Sequence, residues 1–301
     1  MKNTPPTLAE LHAVFVQLRE SWPNDWVGLP AILSDCLRQL GYREDQPLSE
    51  NARSILNCMS MVAVAIEQDG LQRHHHGGEP PYHNRLHIAD TLYSMTSLLL
   101  ATRAWQHRSL ANVLCDAEWV LMLAMLAHDF LHPGRVNQFP GEIESQSASA
   151  VQPLMQAAGV PEEVRVLVGE LILMTDPARV SSHHESMRNR AFNLDDADCM
   201  AMLLQECDIL ASAMPDIGIG LTFQLASEWS KFSETMGDSL LLAGNRINFL
   251  RNQARFSSPA SQSLGLSSMT ATEIDRLGGV PADLPVGRDG QPTLGTSWNK
   301  E

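Results

Sequence analysis

The chain has few cysteines, a shortage of basic residues and almost no period-two alternation. Its five cysteines, Cys36, Cys58, Cys115, Cys199 and Cys207, are scattered and form no C-x-x-C pair. An odd number of isolated thiols in a chain of 301 residues reads as free cysteine in a reducing compartment. Lys and Arg number 21 against 35 Asp and Glu, a formal charge of -14. Such a surface excludes a broad nucleic-acid footprint, which needs clustered cations against phosphates. It also argues against docking on anionic lipid. No apolar run reaches the roughly 18–20 residues of a membrane span; the longest, Trp119 to Ala127, stops at His128. The opening MKNTPPTLAELHAVF lacks the basic and continuously apolar regions of a signal peptide. The expectation is a soluble, cytoplasmic protein. Without alternating strands there is no sheet of consequence, and no internal repeat is visible.

What is present is helical periodicity, and 44% apolar residues are enough for a sizeable core. Leu8 to Leu18 is amphipathic, with Thr7 as its cap. Asn51–Asp69, Ile88–Trp105, Asp116–Asp129, Glu144–Ala158, Pro161–Met174 and Leu194–Met214 also read as helices. Pro161-Glu162-Glu163 suits a helix start, with proline first and acids at the positive dipole end. The expected fold is all-α: a compact multi-helix domain over residues 1–256. Residues 257–301, rich in Ser, Gly, Pro and Thr, read as an irregular extension. Its scattered apolar residues, Trp298 among them, suggest that parts of it pack on the domain.

Several ionisable residues sit where burial makes them costly. In YHNRLHIAD, His83 and His87 are four apart and share a face if helical, with Asp90 three further on. A surface histidine pair at a helix start fits these residues equally well. In AHDFLHPGRVNQF, His128 and Asp129 end the most apolar helix, and Pro133-Gly134 forces a turn that folds His132 back. A buried His-Asp step needs a partner or a metal, because desolvating a carboxylate costs several kcal/mol. Asp208 lies on a helix apolar nearly all round and also needs a partner. Thr175-Asp176 closes another apolar helix before Pro177. Two imidazoles and two carboxylates suit Zn²⁺ or a similar ion. Asp129 could bridge to a second, harder ion such as Mg²⁺ or Mn²⁺. Paired metals a few Å apart recur in phosphoester hydrolysis. Three other features read as bland. His74-His75-His76 looks like a solvated loop, His183 and His184 could line a pocket rim, and Met122, Met125, Met200 and Met202 look like core packing.

In order and wording, YHNRLHIAD, HDFLHPGRVNQF, a following glutamate, a Thr-Asp step and a later buried aspartate closely resemble class I cyclic-nucleotide phosphodiesterases of the HD superfamily. The likeness is clear from Tyr82 to Asp208 and looser from Asn51 to Phe256. It implies that His83 protonates the leaving 3′-oxygen and that a metal-bridging hydroxide attacks phosphorus. It implies His87, His128, Asp129 and Asp208 as ligands of a tight Zn²⁺ site, with Asp129 shared with a second Mg²⁺ or Mn²⁺. His132 would orient water on the second ion, with Thr175 and Asp176 more weakly placed. Glu144 would support the acid histidine and the metal waters, with Glu142 a competing candidate.

Two departures matter. The family usually continues from that glutamate with Asn-His-His, whereas Glu144 is followed by Ser145, Gln146 and Ser147. The family also holds the purine with a Gln-x-x-Phe pair, and two frames compete here. Arg246 to Phe249 carries Arg for Gln, while Gln253 to Phe256 keeps both residue types. Seven residues apart, both pairs face one side if the helix runs through them. Both phenylalanines also suit a core.

The expected activity is hydrolysis of a 3′,5′-cyclic nucleotide to its 5′-monophosphate. Two alternatives stand beside it: action on another phosphodiester or a nucleotide monoester, and a non-catalytic nucleotide-binding regulator. The expected partner is a small phosphodiester, not a membrane or a nucleic acid, and a homodimer is left open.

Overall fold

The computed structural model describes residues 5–287. Fourteen helices occur among these residues. They are α1 (Leu8–Ser21), α2 (Leu29–Gln39), α3 (Glu50–His75), α4 (Arg85–Trp105), α5 (Asp116–Ala127), α6 (Glu142–Ala157) and α7 (Glu162–Leu173). The second half holds α8 (Pro177–Met187), α9 (Ala197–Ala213), α10 (Pro215–Ser230), α11 (Glu234–Leu240), α12 (Ala243–Asn252), α13 (Pro259–Ser263) and α14 (Leu266–Leu277). No strand forms among the described residues, only an isolated antiparallel bridge between Leu242 and Pro285. The all-α expectation holds.

Three helices make the centre. Every residue of α5 from Ala117 to Ala127 is buried, as are Arg85 to Leu92 of α4 and Cys199 to Cys207 of α9. These helices pack against one another, so a side chain at the end of α5 cannot reach bulk water easily. A fully buried ion pair pins α4 to α5: Arg103 Nε and Nη2 donate to the two oxygens of Glu118 at 2.7 and 2.6 Å. Arg103 Nη1 also donates to the carbonyls of Leu40, Leu110 and Asn112. Removing one partner of such a pair leaves an uncompensated buried charge, at a cost of about 3–5 kcal/mol.

Local signals explain the helix starts. Thr7 accepts from the Glu10 backbone in a reciprocal capping box. The Asn84 side chain accepts from Leu86 N and His87 N, which places the first turn of α4. Asp176 caps α8 by accepting from Ala178 N at 3.0 Å.

The chain differs from the sequence expectation in three places. His74 and His75 complete the last turn of α3 instead of lying in a loop. Helices α2, α8, α10 and α11 are not among the expected helices, although α2 buries Leu29, Ile32, Leu33, Cys36 and Leu37 at helical spacing; the seven-residue α11 is too short to hold without packing. The extension expected to be irregular carries α13 and α14, which pack on α4 and α12 respectively. Ala243 N and Val286 N donate to Leu284 O and Leu241 O, tying the following segment to the start of α12. Trp298 lies outside the described residues.

Candidate active site

The apolar arm α5 ends at His128, and the chain turns at once. His132 N donates to Asp129 O, Leu131 takes a positive φ of 61°, and Gly134 takes one of 71°. Gly134 also lies against Pro80, which a Cβ there would meet at 3.0 Å, so the turn needs glycine. The turn folds His132 back over His83, with ring centroids 3.7 Å apart and planes 24° from parallel.

Four donor groups converge in front of α5. His87 Nε2 lies 3.2 Å from Asp129 Oδ2 and 3.2 Å from Asp208 Oδ1. His128 Nε2 lies 3.3 Å from each of the same two oxygens. Yet both Nε2 atoms are buried and make no hydrogen bond, so the approach lacks hydrogen-bond direction. Donor atoms about 2.0–2.1 Å from a zinc ion stand roughly 3.3 Å apart in a tetrahedron, which is the spacing observed here. The His128 Nδ1–H donates to Met125 O at 2.7 Å, which aims Nε2 at the cluster. The residues therefore fit a divalent cation.

The electrostatics agree. Burial alone would lower His87, but Asp129 and Asp208 outweigh it and lift the imidazole to about 9. His128 is raised in the same way. Burial alone would raise Asp129 and Asp208, but the imidazoles beside them hold both below the ordinary carboxylate range. Both imidazoles and both carboxylates are thus biased towards their charged forms. A divalent cation supplies the same charge as the two imidazole protons and would displace them.

His83 stands outside the helix that sequence spacing assigned to it, since α4 begins at Arg85. What holds it is Glu228 on α10. Its Nδ1–H donates to Glu228 Oε1 at 2.5 Å, and the backbone N–H groups of Tyr82 and His83 both donate to Glu228 Oε2 at 3.0 Å. Burial would raise the Glu228 carboxyl, but His83 and these donors keep it low. Glu228 is the residue that holds His83, and the sequence reading missed it. It lies 145 residues from His83, in a stretch with no motif, and its burial on α10 is the one signal that could have found it. His132 is buried, and burial together with neighbouring His83 pushes it down to about 3. It is therefore neutral, and its Nδ1 accepts from Gly134 N at 3.0 Å.

A cleft of about 710 Å³ opens in front of these groups, within the range of ligand-binding clefts. His83, Asp129, His132 and Asp208 line one side of it. Glu144, Thr175 and Asp176 line an adjacent acidic corner. Asp176 Oδ2 is buried there without a hydrogen bond. The Glu144 carboxylate accepts from Asn137 Nδ2 at 2.9 Å, and burial raises its carboxyl, with Asp176 and Asp129 adding to the effect. Support of His83 was expected from Glu144; Glu228 provides it instead. Glu142 is bonded to Arg135 and to Gln138 N and lies outside the cleft lining, so Glu144 is the glutamate of this corner. Thr175 Oγ1 donates to Ile172 O.

The cleft lining mixes the two competing frames. Phe249 and Gln253 line the cleft, whereas Arg246 and Phe256 do not. Helix α12 ends at Asn252, so Phe256 leaves the helical face and is buried beside Ser257 and Pro259. Arg246 turns inward. It donates to Ser212 O at 2.6 Å and Met214 O at 3.1 Å, satisfying carbonyls at the end of α9. Gly218 makes room for it, since a Cβ there would lie 2.5 Å from Arg246 Nη2. Its guanidinium sits 5.4 Å from the Phe249 ring centroid. Arg246→Met is expected to cost about 1–3 kcal/mol through the unpaired carbonyls. Thermal unfolding should show that loss, and KM should stay within about twofold. His183 and His184 also lie outside the cleft lining, bonded to Gln205 Oε1 and Ser257 Oγ.

The converging donors, the Glu228-held His83 and the cleft form one site on an all-α scaffold, with room for a divalent cation and a ligand. Residues 82–153 match the family of 3′5′-cyclic nucleotide phosphodiesterases. Among solved structures, the phosphodiesterase LmjPDEB1 in complex with IBMX is similar at TM-score 0.61 and 14% identity, covering 92% of this chain and 98% of that one. The phosphodiesterase domain of the RhoPDE fusion protein from the choanoflagellate Salpingoeca rosetta is similar at TM-score 0.56 and 15% identity, covering 93% of each chain. The fold of this chain is that of phosphodiesterase catalytic domains.

Proposed function

We propose that the chain hydrolyses cAMP or cGMP to the 5′-monophosphate. The observation that carries this reading is one cleft lined both by Asp129 and Asp208 of the His87–His128–Asp129–Asp208 cluster and by Phe249 and Gln253. His87, His128, Asp129 and Asp208 would hold Zn²⁺. Asp129, with Glu144 and Asp176 at the acidic corner, would hold Mg²⁺ or Mn²⁺ largely through water. Bound there, such cations neutralise phosphoryl charge and lower the pKa of water.

The chain's own residues do the rest. Glu228 accepts from His83 Nδ1, which fixes the ring and leaves Nε2 for the cleft. As water attacks phosphorus and the bond to the 3′-oxygen breaks, His83 Nε2 gives that oxygen its proton. Phe249 offers an apolar face for the base. Gln253 Oε1 is buried without a partner, an acceptor that the base edge can satisfy.

Product analysis on cAMP, cGMP, AMP and bis(4-nitrophenyl) phosphate tests the reading. Turnover of a cyclic nucleotide to its 5′-monophosphate supports it. Turnover of the aryl diester or of AMP with no cyclic nucleotide cleaved defeats it in favour of another phosphohydrolase. Loss of the carboxylate behind His83 in Glu228→Gln is expected to lower kcat by about 10²–10⁴-fold, the range that general acid–base catalysis contributes. Zinc content should stay unchanged; a variant with normal kcat would remove Glu228 from the mechanism.

A further inference from the structure

Glu206 lies on α9 between Gln205, which lines the cleft, and Cys207 and Asp208. Its side chain is completely buried and does not line the cleft. Every lone pair it offers is directed at one short segment. Glu206 Oε1 accepts from Ser257 N at 2.5 Å and Ser258 N at 2.7 Å. Glu206 Oε2 accepts from Ser258 Oγ at 2.6 Å and also from Ser261 Oγ. Ser258 Oγ in turn accepts from Ser261 N at 3.1 Å, capping α13. The same segment is held from α8, where His184 Nδ1 meets Ser257 Oγ at 2.9 Å.

This carboxylate makes four hydrogen bonds where a helix-to-loop contact ordinarily needs one. Charge-assisted hydrogen bonds are about twice as strong as neutral ones, and buried without these partners the carboxylate would be costly. The tied segment begins four residues after Gln253, across a stretch in which Ala254 and Phe256 are buried. The helix on which Glu206 sits carries Asp208 two residues later. One side chain therefore links the wall bearing Phe249 and Gln253 to the helix bearing a donor of the charged cluster.

We infer that Glu206 is a positioning residue for the substrate: it sets the separation between Gln253 and the phosphate-side groups. This inference rests on the reading that Gln253 and Phe249 contact the base. Displacement of a positioned group by about 1 Å can cost on the order of 100-fold, so loss of the tie should be visible in binding. It should also be confined to substrates that carry a base.

Glu206→Ala and Glu206→Gln should be assayed on whichever cyclic nucleotide is turned over and on bis(4-nitrophenyl) phosphate, with zinc content measured. Glu206→Ala should raise KM for the cyclic nucleotide about tenfold, equivalent to about 1.4 kcal/mol, with kcat within about twofold. The aryl diester and the zinc content should be unaffected. Glu206→Gln should restore KM to within about threefold, because its amide can accept from the two backbone N–H groups and donate to the serine hydroxyls. An unchanged KM in Glu206→Ala overturns the inference, as does an equal loss on both substrates. Equal impairment in Glu206→Gln with altered zinc content also overturns it, by showing that the charge itself acts. Ser261→Ala removes one donor and serves if the alanine variant does not fold: a KM rise on the cyclic nucleotide alone supports the assignment, and none overturns it. Gln253→Ala separates the layers. If it leaves the cyclic-nucleotide KM unchanged, the base-contact reading fails and the Glu206 inference falls with it. If it raises KM while the Glu206 variants do not, only the Glu206 inference fails.

Discussion

Asp208→Ala is expected to lose tight zinc binding and turnover together. Asp208 Oδ1 is 3.2 Å from His87 Nε2 and 3.3 Å from His128 Nε2, so it closes the donor set that α4 and α5 begin. Without it, two buried imidazoles face Asp129 alone. Loss of an outer partner of a metal ligand typically costs 10–100-fold in affinity, and loss of a ligand should exceed that. Cation chemistry supplies several kcal/mol of transition-state stabilisation, so turnover should fall by about 10³-fold or more. Metal analysis after dialysis, beside kcat, reads both effects. Retention of zinc at wild-type affinity would remove Asp208 from the site.

His83→Ala should separate what Asp208→Ala joins. His83 is bonded to Glu228 and stacked on His132, and its hydrogen bonds reach none of the four converging donor atoms. Zinc content should therefore be normal. Loss of a general acid should lower kcat by about 10²–10⁴-fold. The sign of the leaving-group effect follows from the role. A diester with a good leaving group such as 4-nitrophenolate needs little protonation, so its turnover should suffer much less than that of a cyclic nucleotide. Equal loss on both substrates, or loss of zinc, would contradict the assignment. Asp208→Ala and His83→Ala together ask whether cation binding and proton delivery are separable, as the geometry indicates.

Much of the site was legible because its residues sit in short words. His87 follows the Asn84 cap, and His128 and Asp129 end a helix apolar on every face, so local order already implied burial of charge. Asp208 was legible for the same reason. What escaped the sequence was set by distant contacts. Glu228 has no neighbouring motif, and its role exists only because α10 crosses behind Tyr82 and His83. The His83–His87 pair was placed on one helical face, yet α4 starts two residues after His83, so its orientation comes from Glu228 and not from helical spacing. The clamp frames were ambiguous for a related reason. A continued helix would put Arg246, Phe249, Gln253 and Phe256 on one side, but α12 stops at Asn252 and splits them.

By itself, the sequence determined the all-α class, the apolar arm that presents His128 and Asp129, and the residue types of a metal-type donor set. These follow from periodicity and from the cost of burying charge, both properties of short stretches. Only the tertiary structure decided that Glu228 holds His83, that Arg246 caps a helix end while Gln253 faces the cleft, and that Glu206 ties the segment after Gln253 to the Asp208 helix. Each of those contacts spans more than 30 residues of chain. A side chain's partner at that range is set by how helices pack and where they end, which no local pattern encodes.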